Sequence, residues 1–500
     1  MQPTVHFEGR TIPGEVFFAG CQRAASALRA AGVGEGDVVA VLLTNGPAAL
    51  EVMAAARSIG ALWCPINWHF KTEEVQFILL DSAAKVLVAD AALLGALHGL
   101  RTQGLAVFVA RSSDERVAAA VSGAASWASW RDGTARASVA PCAPRGAMFY
   151  TSGTTGRPKG IRRAPATAQQ AATALEVMRR VLGLEPGMRA LLSAPMYHSA
   201  PNSYALGAAN EQAELFIEAR FDAERTLQLI EQHRITHAYL VPTMYVRLLR
   251  LPEAVRGRYD LSSMRFVAST GSPCPPRVKR AMIDWWGPVI HEAYGASELG
   301  YMTMLDSHDA LCKPGSAGRP LPGVTLAILD EQGHAMPRGA AGLIYVNQPA
   351  FSDFDYVGNH AARERMERDG LKTLGDVGYL DDDGFLFIVD RSADLVISGG
   401  ANIYPAEIEA VLHTLPGVVD CAVFGIPDEE FGESLAAAVQ CSGTAALSVA
   451  DVREHLRVHL ADFKVPKVIE FHAELPREDT GKIFKRRLRE PYWAGLTRRI

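Results

Sequence analysis

Residues 150–160 read Tyr-Thr-Ser-Gly-Thr-Thr-Gly-Arg-Pro-Lys-Gly, and this stretch decides how the rest of the chain is interpreted. The apolar run at 147–150 predicts a strand that delivers the loop. Glycines allow backbone N–H groups to turn toward one point, and the hydroxyls and Lys159 add donors, which is typical of a loop around a polyphosphate. The Walker pattern is excluded because Pro158 occupies the place of its second glycine.

Both flanks of this loop alternate short β-rich apolar runs with helical periodicity, which favours α/β layers around largely parallel sheets. The expected strands are 38–43, 85–89, 190–194, 237–241 and 265–269. The expected helices begin at Pro47 and cover 72–80, 223–233 and 276–286.

Strands separated by Gly, Asp and Pro turns dominate after about residue 315, and from Pro405 the pattern becomes helix, strand, strand, helix. The expected fold class is therefore α/β and α+β. A large N-terminal domain of layered α/β sheets would span 1–390, with a β-rich subdomain at about 315–390. A hinge at 391–394 would join it to a small, mobile α+β domain at 395–500.

The composition excludes several function classes. The net charge of -5 gives no electrostatic reason to expect a nucleic-acid partner. The seven cysteines include no C-x-x-C pair, which argues against a disulfide framework or a zinc site. The first ten residues lack a signal-peptide pattern, and no apolar run reaches the length of a membrane span. We therefore expect a cytoplasmic protein.

The 150–160 loop resembles the signature of the adenylate-forming superfamily, which includes acyl-CoA synthetases, peptide-synthetase adenylation domains and firefly luciferase. Further motifs of that family follow in order over essentially the whole chain. The resemblance implies that the enzyme binds ATP through the loop residues Thr151, Ser152, Gly153, Thr154, Thr155, Gly156 and Lys159.

Two central segments resemble family motifs. Residues 195–199, Pro-Met-Tyr-His-Ser, resemble the segment whose histidine lines the carboxylate pocket, which implies a catalytic His198. Residues 291–298 resemble the Y-G-x-T-E motif, in which Tyr294 would stack on adenine, Ser297 would contact the α-phosphate, and Glu298 would hold Mg²⁺. Further nucleotide contacts are implied for Gly271, Ser272, Glu292, Ala293 and Gly295.

The segment 291–295 also begins like a zincin motif, and 295–299 begins like a nucleophile elbow. The zincin motif requires a second histidine where Gly295 stands, and the elbow requires a glycine where Leu299 stands. Both hydrolase interpretations are excluded.

The remaining motifs lie toward the C-terminus. Residues 374–376 resemble a T-G-D motif whose aspartate, here Asp376, bonds the ribose hydroxyls, and Arg391 matches the arginine just before the hinge. Residues 475–482 resemble the loop of the catalytic lysine, here Lys482, which would bridge the attacking carboxylate and the α-phosphate. Positions that would contact coenzyme A are Gly399, Gly400, Phe431 and Lys467.

The resemblance implies an AMP-forming carboxylic acid:CoA ligase that uses ATP, Mg²⁺ and coenzyme A. Tyr204 and Met302 suggest an apolar acyl pocket, and no basic residue obviously serves a second carboxylate, so a fatty or aromatic monocarboxylate is the expected acid. A stand-alone adenylation enzyme that loads a carrier-protein phosphopantetheine is the alternative. A non-catalytic nucleotide sensor is disfavoured because Glu298, Lys482 and the loop are retained. The expected protein is a monomer or homodimer.

Overall fold

The computed structural model describes residues 2–111, 124–135, 142–143, 145–151, 158–391, 394–398, 401–428, 431–442, 447–477 and 483–494. Its largest sheet has nine strands, of which the central six are parallel and the edges antiparallel. In spatial order they are Arg319–Pro320, Gly300–Leu305, Ile290–Ala296, Phe266–Ser269, His237–Tyr239, Arg189–Leu192, Glu214–Ile217, Thr4–Phe7 and Arg10–Ile12.

A second sheet is parallel throughout, and its central strands are buried on both faces, as expected for strands covered by helices. Its strands, in order, are Leu62–Pro65, Val38–Leu42, Ala84–Asp90, Ala106–Arg111 and Ala125–Ser126. Together the two sheets confirm the predicted α/β layers.

Thirteen described helices accompany these sheets in the N-terminal part. They are Gly14–Ala30, Pro47–Ser58, Thr72–Asp81, Ala91–Ala96, Trp127–Gly133, Ala168–Leu182, Ser199–Asn210, Ala223–His233, Pro242–Leu249, Glu253–Arg256, Pro276–Trp286, Ser307–Cys312 and His360–Glu364. Local chemistry sets their ends: proline occupies the first helical position of Pro47–Ser58. The Asp222 side chain accepts a 2.8 Å hydrogen bond from Arg225 N–H to cap Ala223–His233.

The predicted β-rich region is confirmed as an antiparallel sheet. It contains Thr325–Leu329, Gly342–Asn347, Leu371–Leu380, Glu367–Arg368 and Leu386–Arg391. A separate three-stranded sheet joins Phe149–Thr151, Lys159–Arg163 and Phe354–Tyr356.

The C-terminal part is the predicted small α+β unit. Its helices are Pro405–Leu412, Val449–His459 and Lys485–Trp493, with a 3₁₀ turn at Asp462–Lys464. Its sheet contains Ala401–Ile403, Val396–Ser398, Gly432–Cys441, Val418–Asp428 and Val468–His472. In the described part of the chain, no helix has the length and apolar character needed to cross a membrane.

Candidate active site

A cleft of about 2310 Å³ lies where the carboxyl ends of the parallel strands meet the C-terminal part. His198, Val241 and Gly271 follow three neighbouring strands of the nine-stranded sheet and line its wall. Arg477 and Phe484 line it from the C-terminal part. The end of parallel strands is where α/β proteins place their ligands.

The two strands that flank the predicted phosphate loop are paired with each other. Strands Phe149–Thr151 and Lys159–Arg163 pair antiparallel, with Thr151 opposite Lys159, and both of these residues line the cleft. The Lys159 ammonium lies 5.3 Å from the centre of the Tyr356 ring. The predicted contacts Ser152, Gly153, Thr154, Thr155 and Gly156 lie outside the described residues.

His198 is placed at the start of helix Ser199–Asn210, with its ring 4.3 Å from that of Tyr197. Ser199 Oγ accepts a 3.0 Å hydrogen bond from Ser297 Oγ. This hydrogen bond therefore links the segment around His198 to the segment around Glu298 in the cleft wall, although the two were predicted separately.

Strand Ile290–Ala296 turns back into Gly300–Leu305, and this turn presents Glu298 to the cleft. A Cβ at position 295 would lie 2.6 Å from the carbonyl oxygen of Gly300, so only glycine permits this close approach. The Tyr356 hydroxyl donates a 3.1 Å hydrogen bond to Glu298 Oε1. Because His291 lies in a strand and not on a helix, the structure also excludes the zincin geometry.

Arg163 holds the main chain of this turn and was missed by sequence reasoning. Its guanidinium donates to the carbonyl oxygens of Ser297 at 2.9 Å, Glu298 at 2.8 Å and Ser352 at 2.6 Å. Burial lowers the pKa of Arg163 to about 10, an effect that Glu298 opposes. A signal existed, because alternation places Arg163 on the same strand face as the buried Ile161.

Tyr294 and Asp376, which were predicted separately to contact adenine and ribose, lie side by side. The Tyr294 hydroxyl donates a 2.5 Å hydrogen bond to Asp376 Oδ2. Asp376 is buried in strand Leu371–Leu380, directly opposite Arg391 in the neighbouring strand. The side chain of Arg391 lies outside the described part.

Glu292 has a different place from the one predicted. Its carboxylate forms a 2.8 Å ion pair with the buried Lys279 ammonium, and burial raises its pKa. Ala293 is buried in the core beside it. Gly271 lines the cleft, and Ser272 follows it, half-buried. The Glu292 side chain therefore serves the packing of helix Pro276–Trp286 against the sheet.

Tyr204 and Met302 do not belong to the cleft wall, which corrects their prediction as acyl-pocket residues. Both side chains are fully buried, Tyr204 in the main core and Met302 in the core of the β-rich region. The cleft wall near His198 contains Ser203, Leu206 and Tyr239 instead.

The C-terminal loop of the predicted catalytic lysine is closed at its base. Arg477 pairs with Ile483 in an antiparallel bridge, and Phe484 N–H donates to Pro476 O at 2.8 Å. Lys482 itself lies outside the described residues, as do Gly399 and Gly400.

The other two predicted coenzyme A residues are neighbours. The Lys467 ammonium lies 4.8 Å from the centre of the exposed Phe431 ring and 2.6 Å from Asp428 Oδ2.

Comparison with known proteins identifies two family models. One, described as AMP-binding enzyme, matches residues 2–353, and the other, AMP-binding enzyme C-terminal domain, matches residues 407–482. The chain is 32% identical to long-chain-fatty-acid–CoA ligase FadD13 of Mycobacterium tuberculosis, over 95% of this chain and 92% of that protein. It is 33% identical to feruloyl-CoA synthase of Amycolatopsis sp, over 94% and 92%.

A third relative is named for a different acyl acceptor, the acyl-carrier protein. It is the fatty acid–[acyl-carrier-protein] ligase ScoC of Streptomyces coeruleorubidus, 31% identical over 100% of this chain and 95% of that protein. Among solved structures, ATP-bound MatB of Rhodopseudomonas palustris is 29% identical and superposes with a TM-score of 0.86, covering 99% of this chain and 97% of that one. The apo form of MatB, also 29% identical, gives 0.75 over 99% and 96%.

Proposed function

Because the chain belongs to the AMP-binding enzyme family, we propose that it activates a carboxylic acid with ATP and transfers the acyl group to coenzyme A. The acid's carboxylate would attack the α-phosphorus of ATP, releasing pyrophosphate and forming an acyl-adenylate. The thiol of coenzyme A would then attack the acyl carbon, releasing AMP and forming the thioester.

The observation that carries this proposal is the convergence of three predicted contacts on one cleft. Thr151 and Lys159, at the ends of the phosphate loop, line the same cleft as Glu298. Arg477, at the base of the Lys482 loop, lines this cleft from the C-terminal part. Adenylation needs cations and donors around the polyphosphate at the place where the acid enters, and this arrangement supplies such a place.

The residues of the cleft also fit a magnesium ion. Carboxylate oxygens are the ligands that Mg²⁺ prefers, and Glu298 presents one in the cleft, where bound Mg²⁺ would neutralise phosphate charge. The Tyr356 hydroxyl and the Arg163 guanidinium fix the position of Glu298 through its side chain and main chain. Asp376 would accept the ribose hydroxyls, and Lys482 would balance the charge of the attacking carboxylate.

The two half-reactions need different surroundings, and we propose that the C-terminal part changes its position between them. The two MatB structures support this proposal. The same relative matches this chain with a TM-score of 0.86 when ATP-bound and 0.75 when apo, although identity and coverage are nearly unchanged. We assign the present arrangement to adenylation and the Gly399–Gly400 segment to the later thiol tunnel.

The acyl acceptor separates two candidate functions. FadD13 is named as a CoA ligase and the Amycolatopsis relative as a CoA synthase, whereas ScoC is named as a carrier-protein ligase. The exposed Phe431 ring would offer an aromatic face to the adenine of coenzyme A, a group that a carrier-protein phosphopantetheine lacks, and this favours coenzyme A. A cytoplasmic location and a monomeric or dimeric state remain predictions.

The test incubates the purified protein with ATP, Mg²⁺ and a pooled panel of carboxylic acids, with and without coenzyme A, and identifies products by mass spectrometry. Acyl-CoA and AMP together are the expected result, and the acyl mass names the acid. Acyl-AMP and pyrophosphate without thioester would assign the chain to a carrier protein or another acceptor. Absence of any acid-dependent AMP would refute the proposed function.

A further inference from the structure

Arg57, in the last turn of helix Pro47–Ser58, is a cleft residue to which adenylation gives no role. It is half-buried, and no hydrogen-bond acceptor or carboxylate among the described residues contacts its guanidinium. Burial lowers its pKa, and no acidic group opposes that effect. Two other cleft arginines are paired with carboxylates: Arg145 with Glu35 at 3.2 Å, and Arg477 with Asp420 at 2.5 Å.

The position of Arg57 follows from two helices that run side by side. Asn45 Oδ1 accepts a 2.9 Å hydrogen bond from Met196 N–H, so the helix that carries Arg57 and the helix after His198 begin at the same point. Further along, Asn202 Nδ2 lies 2.9 Å from Met53 Sδ. The two helices therefore run in the same direction, away from the site of adenylation.

Arg57 stands one helical turn beyond Met53, at the level of Leu206, which also lines the cleft. At 1.5 Å per residue, Leu206 lies about 12 Å along its helix from His198. Ala174 and Met178 provide further apolar wall for the cleft. An acid whose carboxylate sits at His198 and whose body follows this wall would bring its far end to Arg57.

We propose that the acid carries a second anionic group at its far end and that Arg57 binds it, with an apolar body between the two charged ends. The inference rests on the proposed function and names its substrate class. An α,ω-dicarboxylic acid of medium chain length is the simplest member. This role for Arg57 replaces the expectation from the sequence that no basic residue serves a second carboxylate.

Two physical arguments favour this class. A planar guanidinium matches a carboxylate with two parallel hydrogen bonds, a geometry that no neutral tail offers. A buried charge without a partner is costly, and an apolar fatty tail would leave the Arg57 guanidinium desolvated and unpaired. An anionic tail would pair with the guanidinium, so the enzyme would select acids that carry such a tail.

The test measures acid-dependent ATP–pyrophosphate exchange with pairs of acids of equal chain length, one a monocarboxylate and the other an α,ω-dicarboxylate. The variants are Arg57→Met and, as a matched control, Arg101→Met, which removes an exposed cleft arginine with no described side-chain partner. The wild type is expected to prefer the diacid at one chain length. Arg57→Met should lower kcat/KM for that diacid about 10- to 100-fold and leave the monoacid nearly unchanged.

Thermal unfolding of the free protein supplies a second readout. If Arg57 awaits a ligand, Arg57→Met removes an unpaired, half-buried charge and should leave Tm unchanged or raise it. A lower Tm, an equal loss with both acids, or a wild-type preference for the monoacid at every length would overturn the inference. These outcomes differ from failure of the proposed function, in which no acid of either kind supports exchange.

Discussion

Replacing Arg163 by methionine removes a guanidinium that donates hydrogen bonds to three main-chain carbonyl groups, those of Ser297, Glu298 and Ser352. Methionine fills most of the volume but donates no hydrogen bond. The three carbonyls are left partly buried without their donor, and the turn that presents Glu298 loses its link to strand Lys159–Arg163.

The expected loss of stability follows from these contacts. An unsatisfied buried acceptor costs about 1 to 3 kcal/mol, so three give a gross loss of about 3 to 9 kcal/mol. Removing the desolvated guanidinium offsets part of this loss of stability, because burial of the guanidinium is itself unfavourable. We expect a net loss of about 3 to 5 kcal/mol in the free energy of unfolding, the range for removing one member of a buried charged network.

The assay combines urea denaturation with steady-state kinetics. Because Arg163 acts through the position of Glu298, Arg163→Met should raise KM for magnesium-ATP more than it lowers kcat, and Arg163→Lys should recover part of both losses. The matched control is Arg162→Met, one residue earlier on the opposite strand face, where the exposed guanidinium donates to Gly36 O at 3.0 Å. Equal denaturation midpoints for the two methionine variants, or a change in kcat alone, would refute the reasoning.

Three further predictions concern the same cleft and its support. Lys482→Ala should abolish formation of acyl-AMP from ATP and acid but spare thioester formation from supplied acyl-AMP; equal loss of both half-reactions would contradict this division. Tyr356→Phe removes one hydrogen bond to Glu298 and should raise KM for magnesium-ATP about 3- to 10-fold, which a titration of magnesium-ATP measures. Lys279→Met leaves Glu292 buried without its cation and should destabilise the fold by about 3 to 5 kcal/mol near neutral pH. Because burial already raises the pKa of Glu292, the loss should shrink as the pH falls and the carboxyl becomes neutral; urea midpoints at several pH values that show a constant difference would exclude this cause.

The fold could be predicted from the sequence wherever periodicity and local chemistry agree. Helices Ala223–His233 and Pro276–Trp286 begin and end at the predicted residues, because a capping aspartate or a proline marks each start. The β-rich region and the C-terminal helix–strand–strand–helix order were predicted for the same reason. These signals are local, so a single sequence contains them.

The parts of the site that could not be predicted depend on contacts between distant segments. A sequence does not tell a tyrosine or methionine in a core from one in a pocket wall, and Tyr204 and Met302 proved to be core residues. Glu292 was assigned by its motif, but its partner Lys279 lies on a different element. Arg57 looks like an ordinary basic residue at a helix end until the cleft places it beside a second helix.

Backbone pairing at the base of the phosphate loop and of the Lys482 loop also determines when the conformational entropy of loop closure is lost. Thr151 opposite Lys159 fixes the ends of one loop, and Arg477 opposite Ile483 fixes the ends of the other. Bringing the two ends of a loop together reduces the number of chain conformations, and here this reduction is complete once the protein has folded. That loss therefore belongs to folding and is not repeated at each turnover, which leaves more of the nucleotide's binding free energy for the chemical step.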